Sequence, residues 1–416
     1  MHFLRHLWIS FLATGLCLSL LSTSAAANEH NRIFVTSVSG TGDLSSWADS
    51  MGLDGLEGAD TICQARADAA GLSGTFVAWM SDSQDDAWCR VLGLSGKRSA
   101  NCGLTEPPDT SALNGGWVRM DGKPFTTSLD ELTAASGPRI LYPFWFDEFA
   151  NPVAVSTIYM TGTTATGVQS TLQSNCASFT SASGNAVGGR PNLHHTDWTE
   201  GSFPNCSLSN RLVCMQIDGK AAAPPSFARS GDRLAFLTAS SGPGDLGQWP
   251  LAGANAGFAA ADEICRASAA EPGLPRAEFF RAHIGGGGIQ PVDRFDYPDG
   301  PFIRLDGVRY MDSLFDFEPS GSGSHSALNL TSAGNFVGSQ SWLGFNLFTL
   351  DGSNCDDWTA GNSGASGHRW FNAMLGPTNQ TMGSTALSCH FNMRLRCIED
   401  SDLLFTDRFT AEPVLP

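Results

Sequence analysis

Apolar positions between Leu56 and Ala70 recur at helical spacing. Leu56, Ala59, Ile62, Cys63 and Ala67 fall on one face, and Gly71 supplies a stop. The same arrangement returns over Phe258–Ala270 and ends at Gly273. Ahead of each helix lies a short run rich in β-branched and aromatic residues, Ile33–Ser37 and Leu234–Ala239, which predicts an opening strand. Behind each helix, Phe76–Met80 and Phe279–Ile284 predict a strand or a second helix. Trp117–Met120 and Phe302–Leu305 then run into Asp-Gly, a hairpin signal. The pattern dissolves over 123–156 and 308–338, where Gly, Ser, Pro, Asn and Asp surround scattered Phe and Trp, and these stretches read as long loops. Ile158–Thr163 and Trp342–Phe345 return to strand character. Polar regions follow at 181–205 and 360–388, before the closing strands Arg211–Ile217 and Arg394–Ile398. First and last strands of such a unit commonly pair.

The two halves of this pattern are copies. Gly42-Asp43-Leu44 returns as Gly244-Asp245-Leu246, Trp47 as Trp249, and Ala59-Asp60-Thr61-Ile62-Cys63 as Ala261-Asp262-Glu263-Ile264-Cys265. Arg119-Met120-Asp121-Gly122 matches Arg304-Leu305-Asp306-Gly307, Asn175-Cys176 matches Asn354-Cys355, and Arg211-Leu212-Val213-Cys214 matches Arg394-Leu395-Arg396-Cys397. A repeat this long is a domain rather than a solenoid unit. The matched Trp47 and Trp249 read as core. The organisation expected is a secretory signal peptide over 1–27, a first domain over 28–217, a Pro/Ala linker over 218–231, a second domain over 232–398 and an acidic tail over 399–416.

The signal peptide rests on His2, Arg5 and His6 ahead of the apolar run Leu7–Leu21, and on Ala25-Ala26-Ala27 before Asn28. That run is too short to span a bilayer, and no other segment is apolar enough, so no membrane span is expected after cleavage. The expected destination is outside the cytoplasm: secreted, extracellular or on the cell surface, with the periplasm as the other oxidising compartment. The chain carries a net charge of −17 without a Lys/Arg cluster, so nucleic acid and anionic membranes are poor partners. Only 16% of residues are charged, against 46 Gly, 26 Phe and 11 Trp, which suits a loop-rich, β-containing fold better than a helical bundle.

Ten cysteines lie beyond the signal: Cys63, Cys89, Cys102, Cys176, Cys206 and Cys214 in the first copy, Cys265, Cys355, Cys389 and Cys397 in the second. Even counts in an oxidising compartment predict disulfides. Cys89 and Cys102 have no counterpart in the second copy and most simply bond to each other. For the four shared positions, spacing leaves three pairings open. Beyond the expected signal peptide CxxC and HxxxH pairs are absent, which argues against structural zinc.

A helix cysteine, an internal Asn-Cys-x-x-aromatic-Thr (Asn175–Thr180 and Asn354–Thr359) and a cysteine pair ending in a strand resemble C-type-lectin-like domains. The opening Phe34-Val35-Thr36-Ser37, the helix Gly58-Ala59-Asp60-Thr61-Ile62-Cys63 and the Arg-x-Asp-Gly turn are similar to the bacterial endostatin-like family known from the leptospiral endostatin-like proteins. The resemblance covers about 32–217 and 233–398. It implies an α+β fold of two tandem C-type-lectin-like domains with long irregular loops. It also implies the pairing Cys63–Cys214, Cys265–Cys397, Cys176–Cys206 and Cys355–Cys389. Leptospiral relatives bind host matrix and complement regulators, and the class carried over is extracellular binding. The chain departs from sugar-binding lectins: Glu106-Pro107-Pro108, Gln290-Pro291-Val292-Asp293 and Trp198-Thr199-Glu200 do not reproduce their calcium triplets, so calcium-dependent sugar binding is not expected.

Other chemistry reads as structural. His194-His195-Thr196-Asp197 has no match in the second copy, Asp85-Asp86 and Asp356-Asp357 read as solvated acidic turns, and Gly285–Gly288 lacks the Lys-Ser/Thr of a phosphate loop. The chain is therefore expected to be non-enzymatic, without metal or cofactor, and to recognise an extracellular protein or glycan through its long loops. Phe144, Trp145, Phe146, Trp198, Trp370 and Phe371 are the aromatic candidates for ligand contact, with buried packing as the other reading of the loop aromatics. The competing classes are an envelope-structural protein without a discrete ligand and a secreted enzyme. Oligomeric state is open.

Overall fold

The computed structural model describes residues 30–113, 115–154, 156–192, 195–219, 232–317, 323–338, 340–344, 353–371 and 385–402. The expected signal peptide, most of the linker and the tail beyond 402 lie outside these residues. The chain is a mixed α/β structure with few helices and several small sheets.

The first copy runs β1 (Ile33–Val35), α1 (Gly55–Ala69), β2 (Phe76–Ala78), α2 (Ala87–Arg90), β3 (Trp117–Val118), β4 (Pro124–Thr126), α3 (Leu129–Leu132), β5 (Tyr159–Met160), α4 (Asn175–Phe179), β6 (Gly188–Gly189), α5 (Asp197–Glu200) and β7 (Val213–Gln216). The last strand lies between the first two in an antiparallel sheet of order β1-β7-β2, with Phe34 and Ala78 both opposite Cys214. Side chains alternate across this sheet. Phe34 and Cys214 pack with Ile62, Cys63 and Ala67 of α1. Ile33, Val35, Val213 and Met215 face the other way, into a second core built with Trp79, Trp117, Phe125, Phe144 and Trp198. The sheet is thus covered by helix on one face and by the irregular segments on the other, which is why β1 is buried throughout.

The second copy runs β8 (Arg233–Leu237), α6 (Gly257–Ala270), β9 (Phe280–Ala282), β10 (Asp299–Arg304), β11 (Arg309–Ser313), β12 (Gln340–Trp342), α7 (Cys355–Trp358), β13 (Ser366–Phe371), β14 (Thr385–Ser388) and β15 (Arg396–Glu399). Its main sheet has the order β11-β10-β8-β15-β9, with Cys397 opposite both Phe236 and Ala282. The expected hairpins form in both copies, with Gly122 and Gly307 at φ of 83° and 80° in their turns. Two expectations are corrected. The region 360–388 is not simply irregular: β13 and β14 pair in register from Ser366↔Ser388 to Arg369↔Thr385. Backbone pairing makes these strands, and a Ser/Gly-rich sequence gives little hydrophobic alternation to announce them. Glu399, Asp400 and Ser401 are buried against the second copy and are no part of a solvated tail.

Five disulfides close within the copies: Cys63–Cys214, Cys89–Cys102, Cys176–Cys206, Cys265–Cys397 and Cys355–Cys389. Multiple disulfides suit an oxidising compartment. Among the described residues no helix is long and apolar enough to cross a membrane.

Candidate binding surface

Two arginine clamps, repeated in both copies, fix where the irregular segments go. In the first clamp, the helix carboxylate Asp60 Oδ1 accepts from Ala78 N at 2.8 Å, and Asp262 Oδ1 accepts from Ala282 N at 3.0 Å. Each carboxylate pairs with an arginine, buried at Arg90 and half-buried at Arg294, that also donates to the carbonyls beside it. Arg90 Nη1 donates to Ala78 O and Met80 O, both at 2.8 Å, and Arg294 Nη1 donates to Ala282 O at 2.7 Å. In the second clamp, the Arg-x-Asp-Gly turn holds its own aspartate bidentately and reaches the long loop. Arg119 Nη1 donates to Pro143 O at 2.8 Å, and Arg304 Nη1 donates to Ala327 O at 3.0 Å.

The long loops held this way share one path. Val35 N donates to Phe146 O and Leu237 N to Leu330 O, both at 2.9 Å. Ala150 N donates to Asp147 O at 3.0 Å, and Gly334 N to Thr331 O at 2.9 Å; Val153 N reaches Trp145 O at 2.9 Å, and Val337 N reaches Asn329 O at 2.8 Å. Segment 143–153 therefore corresponds to 327–337.

This geometry relocates the aromatic candidates. Phe144 and Trp198 are fully buried in the core behind the sheet and offer no surface to a ligand. The apolar area of a large ring stabilises most when removed from water, and here the loop wraps back over the sheet to do that. Trp145 is 8% exposed and half-buried Phe146 packs beside it; Arg119 lies over both rings, 4.7 and 4.9 Å from their centroids. Trp370 and Phe371 lie in β13, and their side chains are outside the described residues.

Exposed apolar side chains that the sequence reading passed over flank the inner disulfide. Leu172 (63% exposed), Phe203 (53%) and Leu208 (62%) lie within four residues of Cys176 or Cys206 along the chain, and Phe391 (44%) follows Cys389. Ser174 Oγ donates to Asn185 O at 3.3 Å, Ala186 N to Pro204 O at 2.9 Å and Leu208 N to Asn205 O at 3.1 Å, which gathers these segments around the bridge. The available signal was a lone large apolar residue among Ser, Asn and Gly. The bridge itself rises from a turn of unusual hand. Asn175, Cys176, Ala177, Ser178 and Phe179 all have positive φ, between 47° and 64°, and Cys355–Trp358 repeat this between 52° and 65°. α4 and α7 are thus left-handed turns.

The charged candidates are structural in their contacts. Asp86 is buried rather than solvated: it pairs with Lys97 at 3.2 Å and accepts from Arg98 N and Gln169 N, both at 2.8 Å. Asp356 and Asp357 are exposed at the left-handed turn. His194 lies outside the described residues. The His195 ring packs on Gly137 and Gly338, and burial lowers its pKa while Asp197 partly offsets this. At Asp312, partial burial opposes the charge, but His325 (2.8 Å) and Arg309 (2.5 Å) outweigh it and hold the carboxyl below its ordinary range. Gly285 O accepts from Trp358 Nε1 at 2.9 Å, a packing role for the glycine run. No group of three or more His, Cys, Asp or Glu side chains converges on a metal position among the described residues. No protein-family model matches the chain, and no curated protein matches it either.

Proposed function

We propose that the chain is a secreted or surface-displayed protein of two C-type-lectin-like modules, related to the endostatin-like proteins, that recognises an extracellular protein or glycan without catalysis. The observation that carries this reading is the placement of Leu172, Phe203 and Leu208. They are large and exposed, and each stands within four residues of a disulfide whose flanking backbone is tied by hydrogen bonds. Such side chains on a rigid scaffold lose little entropy when they dock, which is the property of a contact hot spot. The resemblance supplies the class of partner.

The test is binding of the full secreted chain to immobilised matrix glycoproteins and to a glycan array. A Leu172→Asp, Phe203→Ser, Leu208→Asp variant should bind at least tenfold more weakly with unchanged circular dichroism. Binding that survives the triple substitution would remove this surface from the proposal, and no binding to either panel would remove the proposal.

A further inference from the structure

The loops held by the second clamp do not both face solvent. Tyr142, 4% exposed, accepts at its hydroxyl a hydrogen bond of 2.8 Å from the backbone N–H of Arg309 in the second copy. Trp145 and Val153 of the first copy form one apolar cluster with Ala327 of the second, with Phe146 packed beside it. The Arg139 guanidinium lies 4.7 Å from the ring centroid of Phe336. The His195 ring lies against Gly338, where a Cβ would fall 2.6 Å from the ring.

The path shared by the two loops shows how this contact is specified. By the hydrogen-bond correspondence, Tyr142 stands where the second copy has Ser326, Pro143 where it has Ala327, Trp145 where it has Asn329, and Ala154 where it has Gly338. The first copy carries the bulkier member at these four positions, whereas at the Arg139 contact the order reverses, with Phe336 of the second copy at the position of Pro152. Otherwise equivalent hairpins have diverged into complementary surfaces. Trp145 keeps its own copy intact while doing this, because its ring takes the face of Arg119, whereas Asn329 Oδ1 accepts from Arg304 at 2.9 Å.

We infer that the first copy's 139–153 loop and the second copy's segments 309–317 and 323–338 are each other's partner, so that the chain is one docked body rather than two modules swinging on a linker. The inference is independent of the proposed ligand. Its consequence for any ligand is that these loops are spent on the seal, and recognition is left to the surfaces around the inner disulfides.

Small-angle scattering of the full chain tests this without reference to binding. A single compact body of this size has a radius of gyration of about 22 Å. The expected result for the natural chain is a value near this, with a single-peaked distance distribution. Ala327→Arg places a charge against Trp145 and should raise the radius and split the distribution in two, with circular dichroism retained. A natural chain that scatters as two separated lobes overturns the inference. So does a folded Ala327→Arg protein as compact as the parent. If that variant does not fold, the scattering of the natural chain alone decides.

Discussion

A Cβ on Gly42 would lie 2.2 Å from Cys176 Sγ, and a Cβ on Gly244 the same distance from Cys355 Sγ. The glycine of the repeated Gly-Asp-Leu motif is therefore the space into which the inner disulfide fits. Gly42→Ala should cost about 3 kcal/mol by overpacking, or prevent the Cys176–Cys206 bond from closing. Peptide mapping of the non-reduced variant reads which occurs; an intact bond with unchanged thermal stability would contradict the assignment.

Ala150 and Gly334 occupy the same turn, at φ of 62° and 78°. Only glycine takes this conformation without steric cost. Ala150→Gly should stabilise the chain by about 1 kcal/mol, and Gly334→Ala should destabilise it by a similar amount. Paired urea titrations that move both midpoints the same way would show that the turns are not equivalent.

Disulfides that close larger loops constrain the unfolded chain more. Cys63–Cys214 spans 151 residues and Cys89–Cys102 spans 13. Replacing each pair by Ala should cost about 2 kcal/mol more for the first than for the second. Equal losses would indicate that packing around the bridges, rather than loop closure, sets their effect.

Acid should loosen the second copy first. His283 is fully buried; desolvation, aided by Arg396 and Arg294, holds its pKa well below the ordinary value. A histidine with a depressed native pKa binds fewer protons folded than unfolded. Its contribution is complete above about pH 6.5 and is lost as pH falls from there toward the native value. His195 titrates in the same direction. Urea midpoints between pH 7.5 and pH 5 should decline, and His283→Gln should flatten that decline. A slope unchanged by the substitution would assign the acid sensitivity elsewhere.

The duplication, the two long helices, the Asp-Gly hairpins and the pairing of first with last strands were legible because each rests on local periodicity or a repeated motif. The match of Arg90 with Arg294 was not. Arg90 sits in a helix beside the Cys89–Cys102 staple, Arg294 in a short turn without it, and only their shared carbonyl targets reveal the equivalence. The aromatic triplet was open for a related reason. Polar neighbours left packing and ligand contact both possible, and Phe144 is carried into the core by Arg119's hold on Pro143, a contact between residues 24 positions apart. The surface around Leu172, Phe203 and Leu208 depended on which segments the inner bridge gathers, which the cysteine spacing left open.

The counter-wound turns at Asn175–Phe179 and Cys355–Trp358 run against the natural preference of most of the L-residues in them, at roughly 1–2 kcal/mol apiece, with Asn175, Asp356 and Asp357 the types that tolerate it best. No nascent chain adopts such a coil unaided, so its surroundings must already stand before it can be wound. These corners should be the last to lock as the molecule matures, like a spring held by its housing.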